Sequence, residues 1–168
     1  MCREKYFIPL PDKIFIFGKG IQLRMYEVAT EITIQDSERK MLSEAGYGEP
    51  AIDYYLEKKH MGSIEDANQI SFKVGSCGDT MKIYLKVDEN DIVQDAKYEI
   101  AGCAGAISAA MATVDLVKGK TIEQALEIND GDVFRVLESI PEKKHHCIQL
   151  AVKTMHLGLE EFQTAHVS

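Results

Sequence analysis

Hydrophobic and polar positions along this chain follow two different periods, and the change from one to the other separates strands from helices. Ile70, Phe72 and Val74 alternate with polar residues, as do Met81, Ile83, Leu85 and Val87, and later Ala96, Tyr98 and Ile100. A period of two marks a strand with one buried face, so these segments predict three half-buried strands. Between the last two, Asp88-Glu-Asn-Asp91 supplies the polar residues of a hairpin turn, which makes the sheet antiparallel. Ahead of them, Pro50 to Lys59 reads as a helix: proline suits its first turn, Ile52, Tyr55 and Leu56 share one face, and Gly62 stands past its end.

After Cys103 the period lengthens. Small residues, mostly alanine, run as a helix to Val117 and stop at Gly119. Thr121 with Gln124 three positions on forms a capping box for a short helix, and Asn129 or Asp130 caps another through Leu137. Pro141 opens a long last helix whose apolar stripe is Cys147, Leu150, Ala151, Thr154 and Leu157. Strands first and helices after predict an α+β domain, a small antiparallel sheet of about three strands with helices packed on one face. Residues 1–46 carry mixed signals: Pro9 and Pro11, an apolar run Ile14–Phe17, a Gly18-Lys-Gly20 turn, and alternation from Val28 to Ile34. They read as an N-terminal extension of unknown role, either a β-hairpin appendage or a stretch ahead of a start at Met25 or Met41, before a domain over 47–168.

Composition narrows the class. A chain of 168 residues, 45% hydrophobic and 27% charged, has enough Ile, Val, Leu and Met for one core without disulfide staples. Its net charge of -8 opposes the phosphate backbone, which disfavours nucleic-acid partners. No apolar run approaches the ~18 residues of a membrane span, and Glu4, Pro9, Pro11 and Asp12 do not make a signal peptide. A cytoplasmic protein with no membrane partner is expected. Four cysteines, Cys2, Cys77, Cys103 and Cys147, are too few and too scattered for a secreted framework, so metal binding or catalysis is the better use for them.

Three of them stand at element boundaries. Cys77 lies in Gly75-Ser-Cys-Gly-Asp79, where glycines let the backbone expose a thiol and a carboxylate together. Cys103 lies in Gly102-Cys-Ala-Gly-Ala106, at a helix start whose free amides favour a thiolate. His146 and Cys147 begin the last helix behind Lys143 and Lys144, with His145 either a substitute ligand or a solvent-facing residue. Each alone is as well explained by a glycine loop or a buried cysteine; three together indicate a shared site. Thiolates with an imidazole and a carboxylate leave zinc, copper(I) and iron–sulfur clusters open. Permanent structural zinc usually takes Cys-x-x-Cys knuckles, which this chain lacks, so the set suits a cargo that leaves.

These residues resemble a known family. Cys-Gly-Asp at 77–79, Gly-Cys-Ala-Gly-Ala-Ile-Ser at 102–108, Val-Lys-Gly-Lys-Thr-Ile-Glu-Gln-Ala-Leu at 117–126 and Lys144-x-His-Cys-x-x-Leu-Ala151 are similar to IscU-type iron–sulfur cluster assembly scaffolds and to the N-terminal domain of NifU. So are the cysteine separations of 26 and 44 positions. The likeness runs from Tyr47 to Phe162. It implies an IscU/SufE-like fold and a non-enzymatic scaffold and carrier that assembles a 2Fe-2S cluster on Cys77, Cys103 and Cys147, with Asp79 or His146 as fourth ligand. It implies sulfur arriving as persulfide from a cysteine desulfurase, with Cys147 as acceptor, Asp79 conferring lability and Lys144 in support. It further implies apo-protein acceptors, a frataxin-like or ferredoxin partner, and zinc in the cluster-free form. The zinc-dependent SufU branch, a sulfur acceptor, is the alternative, though its insertion between the second and third cysteines is missing here. Two departures stand out. Glu57-Lys-Lys-His60 replaces the family's Asn-Pro-Arg-Asn, which leaves desulfurase docking open. Ile140-Pro-Glu-Lys-Lys144 replaces Leu-Pro-Pro-Val-Lys, which argues against a dedicated Hsp70.

Overall fold

The structure is a computed structural model that describes residues 33–166. A compact unit spans Ser37–Ser168. Helical residues 33–44 (α1) precede α2 (Glu49–Glu57), then three strands, β1 (Gln69–Val74), β2 (Thr80–Val87) and β3 (Val93–Ala101). After them come α3 (Ala104–Val117), α4 (Ile122–Leu126), α5 (Asp130–Leu137), a short 3₁₀ turn (Glu142–Lys144) and α6 (His145–His166). The sheet has the order β1-β2-β3 and is antiparallel throughout. The α+β architecture read from the sequence is the one observed.

Most of the expected boundaries are set by the expected chemistry. Thr121 with Gln124, and Asn129 with Asp132, form reciprocal capping boxes that satisfy the first amides of α4 and α5. Gly119, at φ +77, ends the run after α3. Asp88 Oδ1 accepts from the Asn90 and Ile92 amides and closes the β2–β3 turn, with Asp91 left-handed at φ 58. Helix α2 stops earlier than expected: Lys58, not Gly62, takes the left-handed cap and donates to Tyr54 O. Pro141 opens the 3₁₀ turn, and the long helix starts at His145.

Helix α3 is the centre of the core. Its alanines leave room for close approach, and ten of its residues from Gly105 to Val117 are buried. The Ser108 hydroxyl donates to Ala51 O of α2, and the buried Tyr98 hydroxyl of β3 donates to Ala151 O of α6, so each polar atom that packing traps finds a partner. Gly158 of α6 sits where a Cβ would meet Leu85 Cδ1 at 2.9 Å and Ile83 Cγ2 at 3.3 Å. That contact, rather than Leu157 of the predicted stripe, brings α6 down on β2; Leu157 is only half-buried.

Two expectations need correction. The alternation Val28 to Ile34 lies largely outside the described residues, as do Ile14–Phe17 and Cys2, but its end, Thr33 and Ile34, is helical. Strong helix formers follow in Glu38, Arg39 and Lys40, and Leu42 anchors that helix in the core. In β1 the apolar row is on the wrong face. Ile70, Phe72 and Val74 are 48%, 55% and 56% exposed, while Ser71 is buried. Register decides this: Met81, Ile83 and Leu85 point inward on β2, so their partners Lys73, Ser71 and Gln69 must share that face. Glu161 of α6 makes the polar face tolerable by accepting from Ser71 Oγ and Gln69 Nε2.

Candidate metal centre

Three chain segments meet at one end of the sheet. The β1–β2 loop carries Cys77 and Asp79, the β3–α3 junction carries Cys103 at the N-cap position, and the first turn of α6 carries His146 and Cys147. The loop is narrow because the Gly75 amide donates to Asp79 O (2.8 Å) and Gly78, at φ +87, takes a conformation that a side chain would strain.

Asp79, Cys103 and Cys147 form a triangle whose ligand atoms lie within 4.8 Å of one another. The Cys103 and Cys147 sulfurs are 3.6 Å apart, and Cys147 Sγ lies 3.9 Å from Asp79 Oδ2. Among the described residues no other group of three His, Cys, Asp or Glu side chains reaches such a spacing. Cys77 is exposed and outside the triangle, on the same loop two residues from Asp79. His146 Nε2 lies 3.5 Å from Cys147 Sγ but is not within reach of all three. His145 is turned away, its ring edge-on to Phe134 of α5 at 5.3 Å. The three cysteines and Asp79 therefore share one end of the molecule, with Cys77 and His146 at the rim.

The two close sulfurs divide one proton between them. The hydrogen bond from Cys147 holds the Cys103 thiol down, to about 5, against the opposing effect of burial, with help from the Ala106 amide and the Lys144 ammonium. Cys147 moves the opposite way, pushed up by its bond to Cys103, by burial and by the negative charges of Cys103, Asp79 and Cys77. Lys144, placed before Cys147 in sequence, serves Cys103 in space, and its own pKa is raised by that bond.

Three residues of this site were not legible in the sequence. Gly102 is a contact glycine: a Cβ there would stand 3.0 Å from Asp79 Cγ. Gly105 plays the same part for the 140–144 segment, where a Cβ would meet Lys144 Cβ at 3.2 Å and Ile140 Cδ1 at 3.3 Å. Tyr47 is buried near the sulfurs; burial first, then the Cys103 charge, pushes its phenol up, against the lowering effects of Lys144 and the Gly105 backbone. Nothing in the local pattern around Tyr47 marks it, because it reaches the site across the fold.

The donor set fits a thiophilic cation. Two sulfurs and a carboxylate oxygen already converge, Cys77 and His146 stand beside them, and the acidic side chain offers a harder ligand among soft ones. A cation entering the triangle would replace the shared proton and leave both sulfurs as thiolates.

Comparison with known proteins bears on the family. The NifU-like N terminal domain family matches residues 46–168. The iron-sulfur cluster assembly scaffold protein IscU of Aquifex aeolicus is 34% identical over 119 residues, 69% of this chain and 75% of that one. The IscU of Escherichia coli K12 is 34% identical over 122 residues, 70% of this chain and 94% of that protein. Among solved structures, a protein assigned as the iron-sulfur cluster assembly scaffold for the SUF system of Fervidobacterium islandicum superposes with a TM-score of 0.58 at 26% identity, over 67% of this chain and 96% of its own.

Proposed function

The chain belongs to the NifU-like N terminal domain family, and on that footing we propose that it is a scaffold, not an enzyme, on which an iron–sulfur cluster is assembled and passed to apo-proteins. The observation that carries this reading is the convergence of Asp79, Cys103 and Cys147 to within 4.8 Å, from three separate boundaries of the fold. A two-iron cluster is cargo here. Cys77, Cys103 and Cys147 hold it as thiolates, with Asp79 as the fourth ligand; its carboxylate is in the triangle, whereas His146 rests against one sulfur only.

Sulfur arrives as persulfide from a cysteine desulfurase, with Cys147 as acceptor once metal has displaced its proton, and a frataxin-like or ferredoxin partner assists assembly. Use of a dedicated Hsp70 is not part of the proposal: Ile140 is buried and Lys144 is engaged with Cys103, so both ends of the 140–144 segment are held by the fold and only its middle, Glu142 and Lys143, is exposed. We assign the protein to the cytoplasm, where thiols stay reduced; no helix among the described residues is long and apolar enough to cross a membrane. Residues 47–168 form the scaffold domain in this reading, and 1–46 an extension.

Anaerobic incubation with iron, cysteine and a desulfurase tests the proposal. Visible charge-transfer absorption and persulfide on Cys147 are expected. Asp79→Ala should give a more persistent cluster, since a hard carboxylate on iron exchanges more readily than a thiolate; unchanged transfer would remove that role. A second reading, a zinc-bound sulfur acceptor, is favoured by the compactness of the triangle, which already suits a single ion. Tightly held zinc with persulfide and no chromophore would select it.

A further inference from the structure

The two edges of the sheet are treated differently. Along β3 the segment 60–62 closes the edge: the Tyr98 amide donates to His60 O, the Gly62 amide donates to Tyr98 O, and both bonds are 2.9 Å. Along β1, nothing among the described residues pairs with the outer side. The Gly75 amide bonds to Asp79 O, which sets the alternation, so odd-numbered residues of β1 turn their backbone groups to β2. The amides and carbonyls of Ile70, Phe72 and Val74 therefore face the open edge, and these are the residues whose apolar side chains are exposed on the outer face.

We propose that β1 pairs with β1 of a second copy of this chain, antiparallel and centred on Phe72, to make one continuous six-stranded sheet. The register follows from the strand itself. Edge-facing backbone groups must meet each other, which sets Phe72 opposite Phe72 and Ile70 opposite Val74 of the second copy. The apolar row becomes twice as long on one face of the joined sheet. On the other face, Lys73 falls opposite the second copy's Ser71 in a non-hydrogen-bonded pair, the closer kind. Ser71 is bonded to the Glu161 carboxylate, so each Lys73 ammonium meets a carboxylate across the two-fold axis. A lysine on an edge ordinarily repels a neighbouring strand; here the same lysine is complementary to a copy of its own chain. Because the strands run antiparallel, the two Gly75–Asp79 loops leave the seam at opposite ends, and neither metal site is covered. The inference is independent of what the site binds.

Sedimentation equilibrium of the full chain, from low to high micromolar, tests the pairing. A reversible dimer is expected. Phe72→Glu should abolish it, and Phe72→Pro, which removes an edge amide without adding charge, should do the same. Lys73→Glu should weaken it by about tenfold, a charge pair made repulsive, and adding Glu161→Lys to that variant should restore it. Near-ultraviolet circular dichroism and zinc uptake, both expected to be unchanged in Phe72→Glu, confirm that the variant is folded. A chain that stays monomeric across the range, a dimer that Phe72→Glu leaves intact, or a charge swap without rescue would each overturn the proposal. So would a monomer whose β1 amides are already protected from hydrogen exchange, because another part of the chain would then hold the edge.

Discussion

Glycine at 102 and lysine at 144 show how the site is tuned by residues that are not ligands. A Cβ at 102 would stand 3.0 Å from Asp79 Cγ and 3.2 Å from Ala106 Cβ, and the helix behind Ala106 cannot yield. Gly102→Ala should therefore push the carboxylate out of the triangle and weaken zinc binding by about tenfold, on the scale of losing a partner that orients a ligand. Competition with a chromogenic chelator measures it. Lys144 lowers the Cys103 pKa together with the larger effect of Cys147. In the metal-free protein, thiolate absorbance near 240 nm should persist as pH falls and vanish around pH 5; in Lys144→Met it should vanish at higher pH, because a cation that favours the ionised form is gone. The candidate ligands stood out in the sequence because each sits beside glycine or at a helix start, where the reason for the residue is local. Tyr47 and Gly102 did not, since what they touch is distant in sequence. Which sulfur Lys144 serves was not legible for the same reason: adjacency to Cys147 in the chain says nothing of the turn that points it at Cys103.

Elements are joined by a few polar bonds whose contribution can be measured. Asp115, near the end of α3, accepts from the Tyr54 hydroxyl (2.8 Å), contacts His60 Nε2 (2.7 Å) and pairs with Lys59 (2.8 Å), which ties the end of α2 and the 60–62 segment to α3. Burial raises its pKa, but Lys59, His60 and Tyr54 together outweigh that and leave it lowered. A carboxylate with a depressed folded pKa stabilises the fold above its unfolded value and loses that contribution as pH falls through the folded one. Asp115→Asn should thus cost about 1–2 kcal/mol in urea denaturation at neutral pH, and the gap to the parent should narrow as pH falls below the ordinary carboxylate value. At this scale the sequence was a good guide wherever signals were local, as with the Thr121 capping box, the cap at Asn129, the Asp88 turn and the alanine helix. It misled at β1, whose alternation is real but whose face is chosen by the register with β2. It missed the end of α2, since a left-handed lysine has no signature, and the role of Gly158, since a helix glycine looks like a weakness until Leu85 and Ile83 are seen against it.

For the whole molecule the triangle acts as a clasp. Asp79 arrives on the β1–β2 loop, Cys103 at the joint of sheet and central helix, and Cys147 on the helix that lies across the sheet. A cation held by all three links elements that are otherwise joined by packing, and it binds the folded chain only, so binding free energy becomes folding free energy. Zinc at about 100 times its Kd should add about 2.7 kcal/mol, a rise in Tm of several degrees for a domain of this size, reversed by chelator. The variants rank the ligands. Cys103→Ser and Cys147→Ser should abolish the rise, since each removes one of two sulfurs 3.6 Å apart. Cys77→Ser should keep most of it, because that thiol is exposed and outside the triangle. With iron and sulfide the order should change if the proposed function holds: a two-iron cluster, larger than a single ion, would draw in the loop thiol, so Cys77→Ser should then fail to hold a chromophore while still responding to zinc. Equal loss of the zinc shift in all three variants would show that Cys77 belongs to the primary set, and that the loop closes for a single ion as it does for the cluster.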